Sequence, residues 1–169
     1  MSATGENSSV QTLWGIPLLR RRLPDADQVN PELIELFQTH RAANDRSGGS
    51  VYASRDDLLI RYGNEAPVQR LFSFVSDSIH EVTSALNAPF WRQTPSRKIQ
   101  LSIVGAWFQI QNGRGFHEVH SHGNCSWCGV YYVQADPAAV RHAHPDLGAS
   151  NGMTRFYGPA LDWIGGAYM

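Results

Sequence analysis

The chain has 169 residues, a formal net charge of −1, 42% hydrophobic residues and 17% charged residues. This length suits one globular domain, and scattered basic residues at a net charge near zero exclude the basic surface by which proteins bind nucleic acid. No apolar run of about 18 residues and no secretory leader is present, so the sequence predicts a soluble, cytoplasmic protein without a membrane partner. Its two cysteines, three positions apart, agree with a reducing compartment.

The first half of the chain indicates helices. Residues 1–10 are small and polar and predict a disordered tail, and residues 11–169 predict a single domain whose flank, 11–98, is mostly helical. An apolar run at 13–19 predicts an early strand. Asn30 as N-cap and Pro31 at the first helical position predict a helix that ends before residues 44–49, and Ser54 predicts the start of a shorter one.

One long helix gives the strongest periodic signal, because apolar residues recur at steps of three and four and share one helical face. These residues are Val68, Leu71, Val75, Ile79, Val82 and Leu86. Asn87, Ala88 and Pro89 predict its end, and His80 beside the stripe is interpreted as a packing or surface residue.

The second half, 99–169, predicts a β core. From Ile99 the apolar period is closer to two, a turn is predicted at 112–115, and strands are predicted at about 127–135 and 153–157 on either side of a loop at 138–152. Because helices precede strands in blocks, the sequence predicts an α+β protein rather than a parallel doubly wound sheet.

Five possible metal ligands fall within twelve residues: His117, His120, His122, Cys125 and Cys128. In an extended strand, side chains two positions apart point the same way, so His120 and His122 can reach one metal ion while His117 faces elsewhere. A pair of ligands spaced by two on a strand is typical of oxygenases with two histidines and one carboxylate, although their second ligand is usually acidic. We therefore predict a metal site at His120 and His122.

Two other interpretations stay open. The set His120, His122, Cys125 and Cys128 contains the ligand types of a closed structural zinc site, although four ligands this close would require a tight knuckle where a strand is predicted. Alternatively, the histidines are ordinary and the domain is a binding module without metal.

Three segments around the histidines carry a family resemblance. They are Ala106–Ile110 (AWFQI), Gly115–His122 (GFHEVHSH) and Cys128–Val133 (CGVYYV). They resemble a group of bacterial and phage 2-oxoglutarate, Fe(II)-dependent oxygenases that share G-F-N-x-x-H-x-H-P and S-G-V-Y-Y-V motifs, and residues 48–54 are similar to an upstream element of that group. The chain departs from the group's pattern at Gln109, His117, Gly123 and Cys128.

The resemblance implies a double-stranded β-helix core of the jelly-roll or cupin kind with N-terminal flanking helices. It also implies Fe(II) at His120 and His122, with 2-oxoglutarate as cofactor, and hydroxylation of a small-molecule or peptide substrate. The polar side chains interpreted as co-substrate contacts are Gln109, Asn124, Ser126 and Tyr131.

The family's distal histidine and its basic residue for 2-oxoglutarate have no counterpart in the expected context. His142 and His144 fall in the predicted loop, and neither is favoured as the third ligand. The resemblance therefore implies a domain that is incomplete at the C-terminus, whose remaining strands come from another polypeptide, belong to a deleted segment, or are absent. A homodimer partner or a second chain that supplies these strands is accordingly an expected partner.

Overall fold

The computed structural model describes residues 8–13, 15–93, 98–112, 115–148 and 151–156. Within these ranges the chain forms four helices and four strands, and the strands pair in two separate antiparallel sheets of two strands each. No helix in this described part is long and apolar enough to cross a membrane.

The N-terminal sheet is a hairpin. Strand β1 (Ser8–Leu13) pairs with β2 (Ile16–Arg21), with Val10 opposite Leu19. Gly15 has a φ of 81° in the turn, a conformation that glycine adopts without steric cost. The predicted early strand at 13–19 is thus wrong in its bounds because this turn interrupts it. Residues 8–10 of the predicted tail lie in β1, and residues 1–7 of that tail lie outside the described residues.

Helix α1 (Ala26–Asn44) carries one buried face, formed by Ala26, Val29, Leu33, Phe37 and His40. Steps of three and four between these residues place them on one side of the helix. The helix begins before the predicted N-cap Asn30, so Pro31 lies inside the helix rather than at its first position, and it has no N–H to donate to the carbonyl four residues earlier. It ends at Asn44, one residue into the polar stretch before which its end was predicted. Asp45 then accepts hydrogen bonds from Ser47 and from the backbone N–H of Gly48.

Helix α2 (Leu58–Tyr62) is short, and helix α3 (Ala66–Trp91) is the predicted long amphipathic helix. The buried residues of α3 include the predicted Val68, Leu71 and Val82, together with Phe74. Leu86, on the same predicted stripe, is exposed. The predicted stop at residues 87–89 is wrong because Pro89 falls in the last turn, where the ring interrupts little of the helix and the N–H of Arg92 still reaches the carbonyl of Ala88 at 3.2 Å.

A second sheet joins the two halves of the chain. Strand β3 (Val51–Ala53) pairs with β4 (Gln109–Gln111), and further backbone hydrogen bonds extend the contact from Ser54 to Phe108 and from Leu58 to Ala106. The Phe108 ring stacks on Phe37 of α1 with a centroid distance of 4.2 Å. The segment that precedes the histidines is therefore fixed against the helical core, which includes the fully buried side chains Leu23, Leu33 and Val68.

The β core expected after residue 99 is only partly present in the described residues. Residues 98–108, 115–137 and 153–156 belong to no helix or strand, so the predicted strand at 127–135 is wrong, and helix α4 (Ala138–His142) lies in the predicted loop. Alternating side chains alone do not make a strand, because the backbone also needs a neighbour to bond with. Tyr157, the end of the last predicted strand, lies outside the described residues. The double-stranded β-helix stays a prediction.

Candidate metal site

The segment with the histidines is attached to the core at three places. Gly115 packs so closely on β3 that a Cβ added there would lie 2.6 Å from the carbonyl oxygen of Ser50. The His122 ring stacks on Trp107 with centroids 5.5 Å apart. At the far end, the Tyr131 hydroxyl donates a hydrogen bond of 2.7 Å to Asn30 on α1. These contacts position an exposed segment that has no regular secondary structure of its own.

The three imidazoles of this segment form a row. Nε2 of His120 lies 3.1 Å from Nε2 of His122, and Nδ1 of His120 lies 3.1 Å from Nδ1 of His117. The prediction that His117 faces elsewhere assumed an extended strand. It is wrong because the backbone is irregular here, and the His117 ring meets the His120 ring edge-on at a centroid distance of 4.5 Å.

Backbone contact determines the tautomer of His120. Its Nδ1 lies 2.8 Å from the carbonyl oxygen of Glu118, and because a carbonyl only accepts, Nδ1 carries the proton and donates. In the neutral ring, Nε2 then keeps its lone pair and faces His122. Donation from the distal ring nitrogen to a carbonyl is the usual way in which proteins orient a metal-binding histidine.

The His120 and His122 pair fits two positions around a metal ion. Histidine nitrogens bind zinc at about 2.0–2.1 Å, and a point at that distance from both Nε2 atoms exists when the atoms are 3.1 Å apart. Both rings are exposed, so an ion bound there keeps open positions. Within the described residues, no three histidine, cysteine, aspartate or glutamate side chains come together as a metal site.

The two cysteines form a second pair. Their sulfur atoms lie 3.2 Å apart, and both thiols are free. Burial, the hydrogen bond to Cys125 and the nearby Cys125 thiol together raise the pKa of Cys128 to about 11. The four ligands of the alternative zinc site are therefore arranged as a histidine pair and a cysteine pair, and the described residues do not combine them into one closed set.

In the part of the chain that the structure describes, the residues predicted as co-substrate contacts make no hydrogen bond to the three histidines. Gln109 lies in β4 and accepts a hydrogen bond from Gln111, and Tyr131 is bonded to Asn30. Burial of the Tyr131 ring raises the pKa of its hydroxyl. Asn124 and Ser126 are exposed. Their proposed role stays a prediction.

The remaining histidines have separate surroundings. His142 is exposed at the end of α4, and Nδ1 of His144 accepts hydrogen bonds from the backbone N–H groups of Asp146 and Leu147. His80 is exposed on α3, which agrees with its interpretation as a surface residue. None of these three side chains contributes to the row of imidazoles.

One buried polar pair was missed by sequence reasoning. His40 of α1 is only 6% exposed, its Nδ1 lies 2.6 Å from the Tyr62 hydroxyl, and its ring meets Phe108 edge-on. Its position three residues after Phe37 on the apolar face of α1 is the sequence signal that could have identified it. The pair joins α1 to the last residue of α2, which is a structural role.

No protein-family model, no curated protein and no solved structure matches this chain.

Proposed function

We propose that the chain binds a divalent transition metal ion through Nε2 of His120 and of His122, and that this is the iron site of a cytoplasmic, 2-oxoglutarate-dependent oxygenase. The observation that carries the metal site is the 3.1 Å separation of the two Nε2 atoms, with the Nδ1 proton of His120 held by the Glu118 carbonyl. The assignment to the oxygenase class rests on the resemblance of the flanking motifs.

Each residue has a defined part in this proposal. His120 and His122 hold the ion. The Glu118 carbonyl and the His117 ring orient His120 through its Nδ1, the ring nitrogen that does not bind the ion. Trp107 supports the His122 ring by stacking. Iron with 2-oxoglutarate supplies oxidising power for hydroxylation of a C–H bond, and the side chains supply position and orientation.

A structural zinc site is the second candidate, and the cysteine pair favours it. Cys125 and Cys128 lie one short loop beyond His122, and thiolates are preferred zinc ligands. In that case the two pairs would close around one ion, and removal of the metal would unfold the segment.

Metal titration of the full chain under anaerobic conditions tests the proposal. We expect Fe(II) to bind, and His120→Ala and His122→Ala each to weaken binding by on the order of 100-fold or more, since loss of even an outer partner costs about 10- to 100-fold. His117→Ala should have a smaller effect, because Nδ1 of His117 lies against Nδ1 of His120, whereas the proposed ion binds at Nε2. His80→Ala is the matched control and should bind as the wild type does.

The oxygenase assignment has its own measurement. Addition of 2-oxoglutarate to the anaerobic Fe(II) protein should produce a visible absorption band that is absent from the His120→Ala and His122→Ala variants. Tightly held zinc, lost on Cys125→Ser or Cys128→Ser, would favour the structural zinc site instead. Equal affinity in all four histidine variants would refute metal binding by this pair.

A further inference from the structure

Cys125 and Cys128 lie in contact within an accessible loop. Their sulfur atoms are 3.2 Å apart, Cys125 is half-buried, and Cys128 is exposed. The sequence contains two cysteines in all, so any thiol chemistry of this chain occurs at this pair.

The loop leaves the thiols room to approach further. Residues 125–128 belong to no helix or strand, so no backbone ladder is broken when the sulfur atoms move by about 1 Å toward a covalent distance of about 2.05 Å. A Cβ added to Gly129, the next residue, would have no atom within 4 Å, which indicates open space beside the chain.

The distances favour the thiols as partners of one another over partners on one metal ion. Two thiolates at about 2.3 Å from a single tetrahedral zinc ion stand roughly 3.8 Å apart. The observed separation is 3.2 Å, and the described residues provide no third ligand to complete such a site.

We propose that Cys125 and Cys128 form a reversible disulfide within the chain by exchange with a low-molecular-weight disulfide. One thiolate attacks the external disulfide, so that its S–S bond breaks, a mixed disulfide forms, and one external thiol leaves. The second thiolate then attacks the protein sulfur of the mixed disulfide, which forms the Cys125–Cys128 bond and releases the second external thiol. The cysteines lose two electrons and two protons, and the external disulfide gains both.

Thiol trapping on the full chain tests this proposal with oxidised glutathione as the probe. The reduced protein is incubated with graded ratios of oxidised to reduced glutathione and then alkylated. The mass of the intact protein is measured by mass spectrometry. The wild type should lose both alkylatable thiols together and retain no glutathione. Cys125→Ser and Cys128→Ser should each retain one bound glutathione, because neither has a second thiol to release it.

A measurement on the wild type alone tests the proposal even if the cysteine variants fail to fold. Residues 115–141 contain no lysine or arginine between the two cysteines, so one tryptic peptide should carry the bond and gain two hydrogens on reduction. Any of three results would overturn the proposal. The first is a dimer linked by disulfides, and the second is glutathione retained on the wild type. The third is a pair of thiols that oxidised glutathione leaves reduced until a chelator removes bound metal.

Discussion

The three imidazoles of the 117–122 segment differ in what holds them. His120 is oriented by a carbonyl, His122 by the face of an indole, and His117 only by contact with His120. Two of the three rings are therefore held by atoms outside the row. This difference is the physical reason why the proposed site assigns the ion to His120 and His122 and an outer position to His117.

Gly115, at the start of the histidine segment, lies against Ser50 and Val51. Gly115→Ala should destabilise the protein by about 1–3 kcal/mol, because the new methyl group would meet the Ser50 carbonyl at 2.6 Å and a Val51 methyl at 2.7 Å. Chemical denaturation measures this free energy of unfolding.

Gly123→Ala is the matched control for that change. A Cβ at Gly123 meets nothing within 4 Å, so this variant should unfold with nearly the wild-type free energy. Equal stability of the two variants would show that the close approach of residue 115 to β3 does not restrict the chain.

At the level of elements, the core lies between α1, α3 and the β3–β4 pair. Leu33 of α1 and Val68 of α3 are 0% and 1% exposed, and Phe108, next to β4, stacks on Phe37. The helices thus bury one face each, and the sheet closes part of that core. The contribution of the second half of the chain to the core comes mainly from the residues around β4.

Truncation of a core side chain in α1 tests this arrangement. Leu33→Ala should cost about 2–5 kcal/mol of folding free energy because it removes apolar contacts and leaves a cavity. Ile60→Ala on α2 is the control and should cost little, since Ile60 is 87% exposed. Thermal unfolding followed by circular dichroism compares them, and a Leu33→Ala midpoint equal to that of Ile60→Ala would contradict this packing.

The helical elements could be predicted from sequence because their signal is local. Steps of three and four in α3 identify its buried face, and the polar stretch after Asn44 identifies the end of α1. The start of α1 was missed because Asp25, which is also an N-cap residue by type, precedes it, while the side chain of Asn30 lies inside the helix and bonds to Tyr131, a residue 101 positions away. Distant contacts of this kind leave no trace in a local pattern.

The strands were harder to predict because each requires a partner elsewhere in the chain. The alternation after Ile99 resembles a strand, yet regular pairing with β3 is confined to Gln109–Gln111. For the candidate site, the spacing of His120 and His122 predicted that the rings could meet. The contact with His117 was not predictable, because it depends on a backbone that is not extended.

At the scale of the whole molecule, stability and the candidate site occupy different parts of the chain. The buried hydrophobic residues between Leu23 and Phe108 form the core, whereas His117, His120 and His122 are exposed. The three imidazoles are therefore not part of this core. This separation is what we expect of an open metal site, whereas a structural metal site would contribute to the stability of the fold.

Loss of both proposed ligands should accordingly leave the protein folded. The double variant His120→Ala and His122→Ala should unfold within about 1 kcal/mol of the metal-free wild type, as expected for substitutions at exposed positions. Denaturation in the presence of a chelator measures this difference. Unfolding of the wild type by the chelator alone would instead support the structural zinc site.

The stacking of Trp107 on His122 also gives the molecule an intrinsic optical probe. The indole lies with its ring centre 5.5 Å from that of an imidazole proposed to bind metal. At this range the unpaired electrons of a paramagnetic ion quench the excited state of an indole. Binding of a paramagnetic ion at the proposed site should therefore lower the fluorescence of Trp107 in the unlabelled chain.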